Sequence, residues 1–213
     1  MISPRPGSSS PMLRYLAHRK AGATAVGRGA PGSIAPFCYR HRLAPNLFFS
    51  GVNVRLAEPK DLPAILEIYN HAVLNTTASY DYEPRDMKHR VAWYELHQKQ
   101  ELPVFVAENE GGVIGWSSLS KYHDRMGYRF TVEDSVYIAQ PHRGRGVGKA
   151  LLAPLIVAAR ERNLRAIIGA IDADNKASIR LHAGFGFELV GHFKEVGYKF
   201  DRWLDVVYME LML

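Results

Sequence analysis

A sustained hydrophobic period begins only at residue 52; none runs through residues 1–50. "VNVRLA" (52–57) alternates apolar and polar side chains as a half-buried strand does. Pro59 opens a stretch in which Leu62, Ile65, Leu66, Ile68, Tyr69 and Val73 recur near the 3.6-residue period, predicting a helix. A second helix is predicted over "EPRDMKHRVAWYELHQK", ending near Pro103. "PVFVAEN" and "GVIGWSSLS", meeting at "EGG", read as a hairpin, and "FTVEDSVYIA" as a further strand. "GVGKALLAPLIVAARERN" predicts a long amphipathic helix, kinked at Pro154. A strand "RAIIGAID", a short helix "NKASIRLHAGFG" and two closing strands, "FELVGHFKEVG" and "WLDVVYMELML", complete the order β-α-α-β-β-β-α-β-α-β-β. There is no internal repeat.

With 213 residues, 47% of them hydrophobic, the chain has material for one domain with a substantial core. No run approaches the roughly 18 apolar residues of a membrane span, so no membrane partner is expected. The formal charge of +6 invites a nucleic-acid reading, but its distribution opposes one. Eight of the 27 bases lie within residues 1–57, which hold no acid, leaving 19 bases against 21 acids from Glu58 onward. The basicity therefore belongs to the head, and no nucleic-acid partner is expected for the domain.

Residues 1–51, rich in Gly, Pro, Ser, Ala and Arg, are expected to be a disordered basic extension, and 52–213 the folded domain. The head has two readings: a transit-like targeting segment, or an over-extended start with Val52 or Val54 as the initiating position. Neither gives it a catalytic role. The single cysteine, Cys38, lies there too, so the domain forms no internal disulfide and is compatible with the cytoplasm, or with an organelle on the targeting reading.

Candidate chemistry centres on "YIAQPHRGRGVGKALL" (137–152). A Walker A loop would need glycine where Arg143 stands and Ser or Thr at Ala150; a dinucleotide fingerprint starting at Gly144 would need glycine at Lys149. Neither fits. What is left is a strand, a glycine-rich turn and a helix N-terminus. Gly144, Gly146 and Gly148 let a ligand approach the backbone, and Arg143 and Arg145 add charge, a combination suited to a diphosphate. A merely tight strand-to-helix turn would look the same.

Arg143-Gly144-Arg145-Gly146-Val147-Gly148 resembles the Arg/Gln-x-x-Gly-x-Gly/Ala loop of the GNAT N-acetyltransferases, and it follows the fourth strand as it does there. Three further blocks, "IYNHAVLNTTASYD", "DNKASIRLHAGFGF" and "VGYKFDRWLDVVYMEL", together with "FTVEDSVYIAQPHRGRGVG", resemble the phosphinothricin and methionine sulfoximine/sulfone acetyltransferases, over roughly residues 52–213. The resemblance implies a mixed, largely antiparallel sheet of about seven strands with helices on both faces. It also implies a homodimer, and acetyl-CoA as co-substrate. Its diphosphate would lie on residues Arg143 to Lys149, and its pantetheine arm along Val136, Tyr137 and Ile138. Asn175 and Ser178 belong to the same cofactor-binding pattern, although Asn175 as a helix N-cap would look alike.

Transfer of acetyl to an amine sets three tasks. Glu133, on the strand entering the loop, is the candidate base, since burial raises a carboxylate towards working pH. A strand glutamate paired with a basic residue is the bland alternative. The resemblance assigns the glutamate at this place the same role. It also places His182 where GNAT enzymes commonly carry a tyrosine that serves the departing thiolate: as acid, second base, substrate contact or structural histidine. A cation is needed for a substrate carboxylate, and Arg129, four residues before Glu133, is the candidate, with Tyr128 and Phe130 shaping the pocket. "TTASYDYEP" is expected to wall the substrate, and Trp116, Trp203 and Tyr208 to be core or interface. The histidines show no metal-ligand spacing, and no metal is expected. The expected activity is direct acetylation of a small amino acid or analogue; acetylation of peptide N-termini and a non-catalytic CoA-binding sensor are the open alternatives.

Overall fold

The computed structural model describes residues 51–213. The expectations for the head, its disorder and its targeting or start-site readings, therefore lie outside the described residues. The elements follow the predicted order: β1 (Asn53–Leu56), α1 (Leu62–Asn75), α2 (Met87–Lys99), β2 (Val104–Asn109), β3 (Gly112–Lys121), β4 (Thr131–Ile138), α3 (Val147–Glu161), β5 (Ala166–Asp172), α4 (Lys176–Ala183), β6 (Glu188–Lys199) and β7 (Arg202–Met212).

Seven strands form one sheet in the order β1-β2-β3-β4-β5-β7-β6, antiparallel everywhere except between β4 and β5. Helices cover both faces, which can be read off two neighbouring residues of β3. A Cβ on Gly115 would point at Leu151 of α3, 3.1 Å from its Cδ1. The next side chain, Trp116, leaves by the opposite face and joins a cluster with Leu62, Ile65 and Ile68 of α1 and Val104 and Val106 of β2. α3 buries Ala150, Leu151, Leu152, Leu155, Ala158 and Ala159 completely. It runs on as one α-helix through Pro154, which is buried.

The α1 entrance differs from the sequence expectation. Pro59–Asp61 is a separate 3-10 turn, and the helix proper starts at Leu62. The cause is Asp61, which is 4% exposed and gathers three donors from two residues. It accepts Arg55 Nη1 at 2.6 Å and Nη2 at 2.9 Å, and the Glu58 amide at 2.8 Å. Arg55 also reaches Glu108 on β2, at 2.6 Å from Nη2. Burial alone would raise the Asp61 carboxyl, but Arg55 and the Glu58 amide override it and hold the group below its ordinary value. β1, the turn and β2 are thus locked by one network.

The single parallel pairing shapes everything that follows. β4 and β5 are in register only at Thr131↔Ala166, Val132↔Ile167 and Glu133↔Ile168. Beyond Glu133, β4 stays with β3 as far as Ile138, while β5 stays with β7 as far as Asp172. The two strands part like a V that opens past Glu133, leaving the β5-facing edge of β4 without a strand partner.

Two stability predictions follow. Asp61→Asn lowers unfolding free energy by roughly 1–3 kcal/mol at pH 7, less than a fully buried pair because Arg55 is partly solvated. The wild-type contribution is present above the unfolded carboxylate value near ~4 and is lost as pH falls through the lower folded value, so urea midpoints of the two proteins converge in acid. Gly115→Ala places a methyl 2.9 Å from the Tyr137 carbonyl oxygen, and the same urea titration is expected to show a loss of about 1–3 kcal/mol.

Candidate active site

The opening of the V is a cavity of about 320 Å³. One side is β4 from Glu133 to Tyr137, the other β5 from Gly169 to Asp172. Thr77–Tyr80, between α1 and α2, forms a wall; Asn175, Ser178 and His182 of α4 and Tyr208 of β7 close the remainder.

The sequence candidates separate into three groups. Glu133, Val136, Tyr137, Asn175, Ser178 and His182 are brought together around this cavity. Glu133 is half-buried, and its pKa is raised, first by burial and then by the neighbouring charge of Asp134. Tyr137 stacks on Trp116 with ring centroids 4.7 Å apart, and its hydroxyl donates to Ala78 O at 3.1 Å, pinning the wall from the β4 side. Asn175 caps α4, its Oδ1 accepting the Ser178 amide at 3.1 Å, so its cap role is real whatever else it binds.

The second group, Ile138 and Arg143 to Lys149, lies at the end of β4 and outside the cavity lining. Gly144 and Gly146 have φ of 74° and 84°, with open space where a Cβ would be; Gly146 starts α3 from this left-handed conformation. Arg143 Nε donates to Ile138 O at 3.1 Å. Gly148 serves packing rather than ligand approach: a Cβ there would sit 3.0 Å from Leu181 Cδ2 on α4 and 3.3 Å from Ile138 Cδ1. That contact brings the α3 N-terminus, with its unpaired amides and partial positive charge, between the end of β4 and α4, beside the open V.

Tyr128, Arg129 and Phe130 form the third group and do not line the cavity. They occupy the exposed segment before β4, at the closed end of the V, where Phe130 O accepts the Arg165 amide at 2.7 Å. Tyr128 packs on Tyr122 and His123. The Arg129 guanidinium lies 4.4 Å over the Phe130 ring and donates to Met126 O.

His182 is 3% exposed, with both ring nitrogens engaged: Nδ1 lies 2.8 Å from Ser178 O and Nε2 3.0 Å from Asp134 Oδ2. Burial alone would lower its pKa, but the Asp134 hydrogen bond and charge, with the Ser178 carbonyl, carry it above the ordinary value. Asp134 was not legible in the sequence, since strand alternation points it away from Glu133 and its partner is 48 residues distant. Tyr208, expected in core or interface, lines the cavity, and so does Asp172; Trp203 is 61% exposed.

Lys199 was missed as well. It is 2% exposed, and its Nζ donates to Thr76 O at 3.0 Å and Ser79 O at 2.6 Å, fastening the wall to the end of β6. Burial lowers its pKa. Tyr82 donates to Tyr198 O, and Tyr80 packs so closely on Gly197 that no Cβ fits there. Burial, with the charges of Asp172 and Asp205, pushes the Tyr80 hydroxyl up to about 12. Three carboxylates line the cavity and no lysine or arginine does, so it suits a cationic ammonium. Among the described residues, no three His, Cys, Asp or Glu side chains converge as a metal cluster.

Comparison with known proteins matches this arrangement. Residues 65–187 fit the family model "Acetyltransferase (GNAT) family". The chain is 43% identical over 162 residues to an L-methionine sulfoximine/L-methionine sulfone acetyltransferase of Salmonella typhimurium, covering 76% of this chain and 95% of that one. A GNAT superfamily phosphinothricin acetyltransferase from Sinorhizobium meliloti, solved in complex with acetyl-CoA, superposes with a TM-score of 0.75 at 38% identity, covering 76% of this chain and 89% of that one. A structure described as ribosomal-protein-alanine N-acetyltransferase from Brucella melitensis gives a TM-score of 0.74 at 46% identity, covering 75% and 99%. With this fold, this open V and these matches, the chain belongs to the acetyltransferase (GNAT) family.

Proposed function

We propose that the chain transfers acetyl directly from acetyl-CoA to the α-amine of a small amino acid or analogue of the methionine sulfone, methionine sulfoximine or phosphinothricin type. The observation that carries this reading is Glu133, a half-buried carboxylate with a raised pKa at the point where β4 and β5 part. An ammonium group entering the acidic cavity meets Glu133, which takes its proton and leaves a nucleophilic amine. The unpaired edge at Val136, Tyr137 and Ile138 can receive the pantetheine arm as an added strand, and Asn175 and Ser178 face it across the V. The diphosphate fits Arg143 to Lys149, where Gly144 and Gly146 open the backbone beside the α3 N-terminus. The domain sequence holds no cysteine for an acyl-enzyme, which favours direct transfer.

The substrate carboxylate needs a cation that the cavity lining lacks. We assign it to Arg129, whose guanidinium, among the described residues, donates to Met126 O over the Phe130 face. Tyr128 and Phe130 border it. The catalytic unit in this reading is residues 52–213, working in a reducing compartment such as the cytoplasm. Exposed Leu189, Val190, Phe193, Val196 and Trp203 on β6 and β7 support a homodimer through that face. Peptide N-termini are a second reading, favoured by the Brucella melitensis relative's description.

The test is acetyl-CoA-dependent thiol release by the purified chain with methionine sulfone, methionine sulfoximine, phosphinothricin and a peptide beginning with alanine. Turnover of the free amino acids is expected; turnover of the peptide alone would replace this reading by the second. Glu133→Gln is expected to reduce kcat/KM by about 10²–10⁴-fold. Because the base must be ionised, wild-type kcat/KM falls as pH drops through the raised Glu133 value, above the ordinary ~4.3, and the variant loses that limb. Arg129→Ala is expected to raise KM for the amino acid at least about tenfold, with KM for acetyl-CoA unchanged, as steady-state kinetics would show.

A further inference from the structure

We infer that Lys199 is a positioning residue that confines the acceptor to a single free amino acid, by sealing the cavity wall to the tip of the β6–β7 hairpin. The inference rests on the acetyl-transfer reading above and assigns the discrimination between its two acceptor classes. The wall has no ladder of its own, since no helix or strand lies between Asn75 and Met87. Its place is set by side chains that reach it from other elements. The Tyr69 hydroxyl of α1 lies 3.1 Å from Ser79 Oγ and donates to Asp81 Oδ2 at 2.6 Å, while Tyr137 of β4 donates to Ala78 O. On the β6 side this task falls to Lys199, which donates to both Thr76 O and Ser79 O.

A buried ammonium is a costly way to make a merely structural contact. Lys199 is 2% exposed, and among the described residues its Nζ is bonded to two carbonyls, with the Phe200 ring 5.0 Å away and no carboxylate paired to it. An apolar side chain of the same length would fill the space without burying a charge. What the ammonium adds is direction: two charge-assisted bonds that fix two carbonyls of one loop.

Two tyrosines close the seam beside it. Tyr82 donates to Tyr198 O, and the Tyr80 ring lies so close over Gly197 that a Cβ there would collide with it. Residues 197, 198 and 199 thus each hold a different point of the wall. They are presented by a tight turn: Lys199 pairs with Arg202, and Phe200 and Asp201 between them have φ of 52° and 56°, the left-handed pair that such a hairpin turn requires.

The seam matters for what can enter. A free amino acid ends at its carboxylate, whereas a peptide continues and needs a gap through which its chain leaves. The cavity, about 320 Å³, is at the lower end of the roughly 300–1,000 Å³ of ligand pockets, and it has to receive the acetyl-bearing arm as well as the acceptor. With wall and hairpin joined, a peptide has no exit on that side unless it parts the seam.

The experiment uses the full chain with acetyl-CoA and two acceptors that share one reacting end: free methionine sulfone, and a tripeptide beginning with methionine sulfone. Wild type is expected to favour the free amino acid by at least ~100-fold in kcat/KM. Lys199→Met is expected to cut that preference at least about tenfold, raising KM for the free amino acid and lowering it for the tripeptide, with kcat and KM for acetyl-CoA within about threefold of wild type. Lys199→Arg, which keeps donors for both carbonyls, is expected to restore the preference. Gly197→Ala opens the same seam from the Tyr80 side and is expected to shift it in the same direction as Lys199→Met. Circular dichroism melting reports whether each variant folds. Hydrogen exchange reads the seam without turnover: in Lys199→Met, exchange is expected to rise at residues 76–82 and to stay unchanged in β5 and α3. An unchanged preference in folded Lys199→Met or Gly197→Ala, or a wild type that takes the tripeptide as well as the free amino acid, overturns the inference and leaves acetyl transfer standing. No turnover of either acceptor by wild type overturns the transfer reading and this inference together.

Discussion

Everything functional in this protein depends on two strands that stop pairing. β4 and β5 are parallel for three residue pairs and then diverge, because each is committed to an antiparallel neighbour on its other side. Backbone amides and carbonyls along the freed edge of β4 are costly if buried unpaired, and the edge opens instead onto a cavity. The cavity, Glu133 and the glycine loop all lie along that divergence.

Small residues tune the surroundings of the gap. Gly115 lets the Tyr137 carbonyl approach β3, Gly148 draws α3 against α4 and the end of β4, and Gly169 makes room for Asp134 and His182. None of these three has a left-handed backbone; each is a matter of space. Gly144 and Gly146 are different, since both turn through positive φ in open surroundings. Sequence inspection groups Gly144, Gly146 and Gly148 as one loop, whereas the fold divides them between conformation and packing.

Much of the fold was legible because its periods are clear: the order of all eleven helices and strands follows from alternation and helical spacing. Pro59 misled at one boundary, since Asp61 uses its carboxylate on Arg55 and Glu58 and delays the helix to Leu62. Around the cavity, legibility was local: Glu133 and Asn175, which line it, carry their signals within short stretches. Asp134, Asp172, Tyr208 and Lys199 acquire their surroundings from residues far along the chain, and no spacing rule reports a contact such as Lys199 with Ser79, 120 residues away. Tyr128, Arg129 and Phe130 lie outside the cavity lining although they are near Glu133 in sequence, because strand rise carries neighbours away at about 3.3 Å per residue.

Lys199 carries a consequence of its own. An enzyme that acetylates amines has a primary amine fastened to the wall of its own cavity, bonded to the carbonyl of Ser79, which lines it. Burial lowers the pKa of that amine and so favours the neutral, nucleophilic form. Its two carbonyl partners do the opposite work: while Nζ donates to Thr76 and Ser79, its approach to an acyl carbon would first require both bonds to break and the wall to come loose. The same clamp that fixes the cavity wall thereby holds a primary amine on backbone carbonyls until the wall lets go.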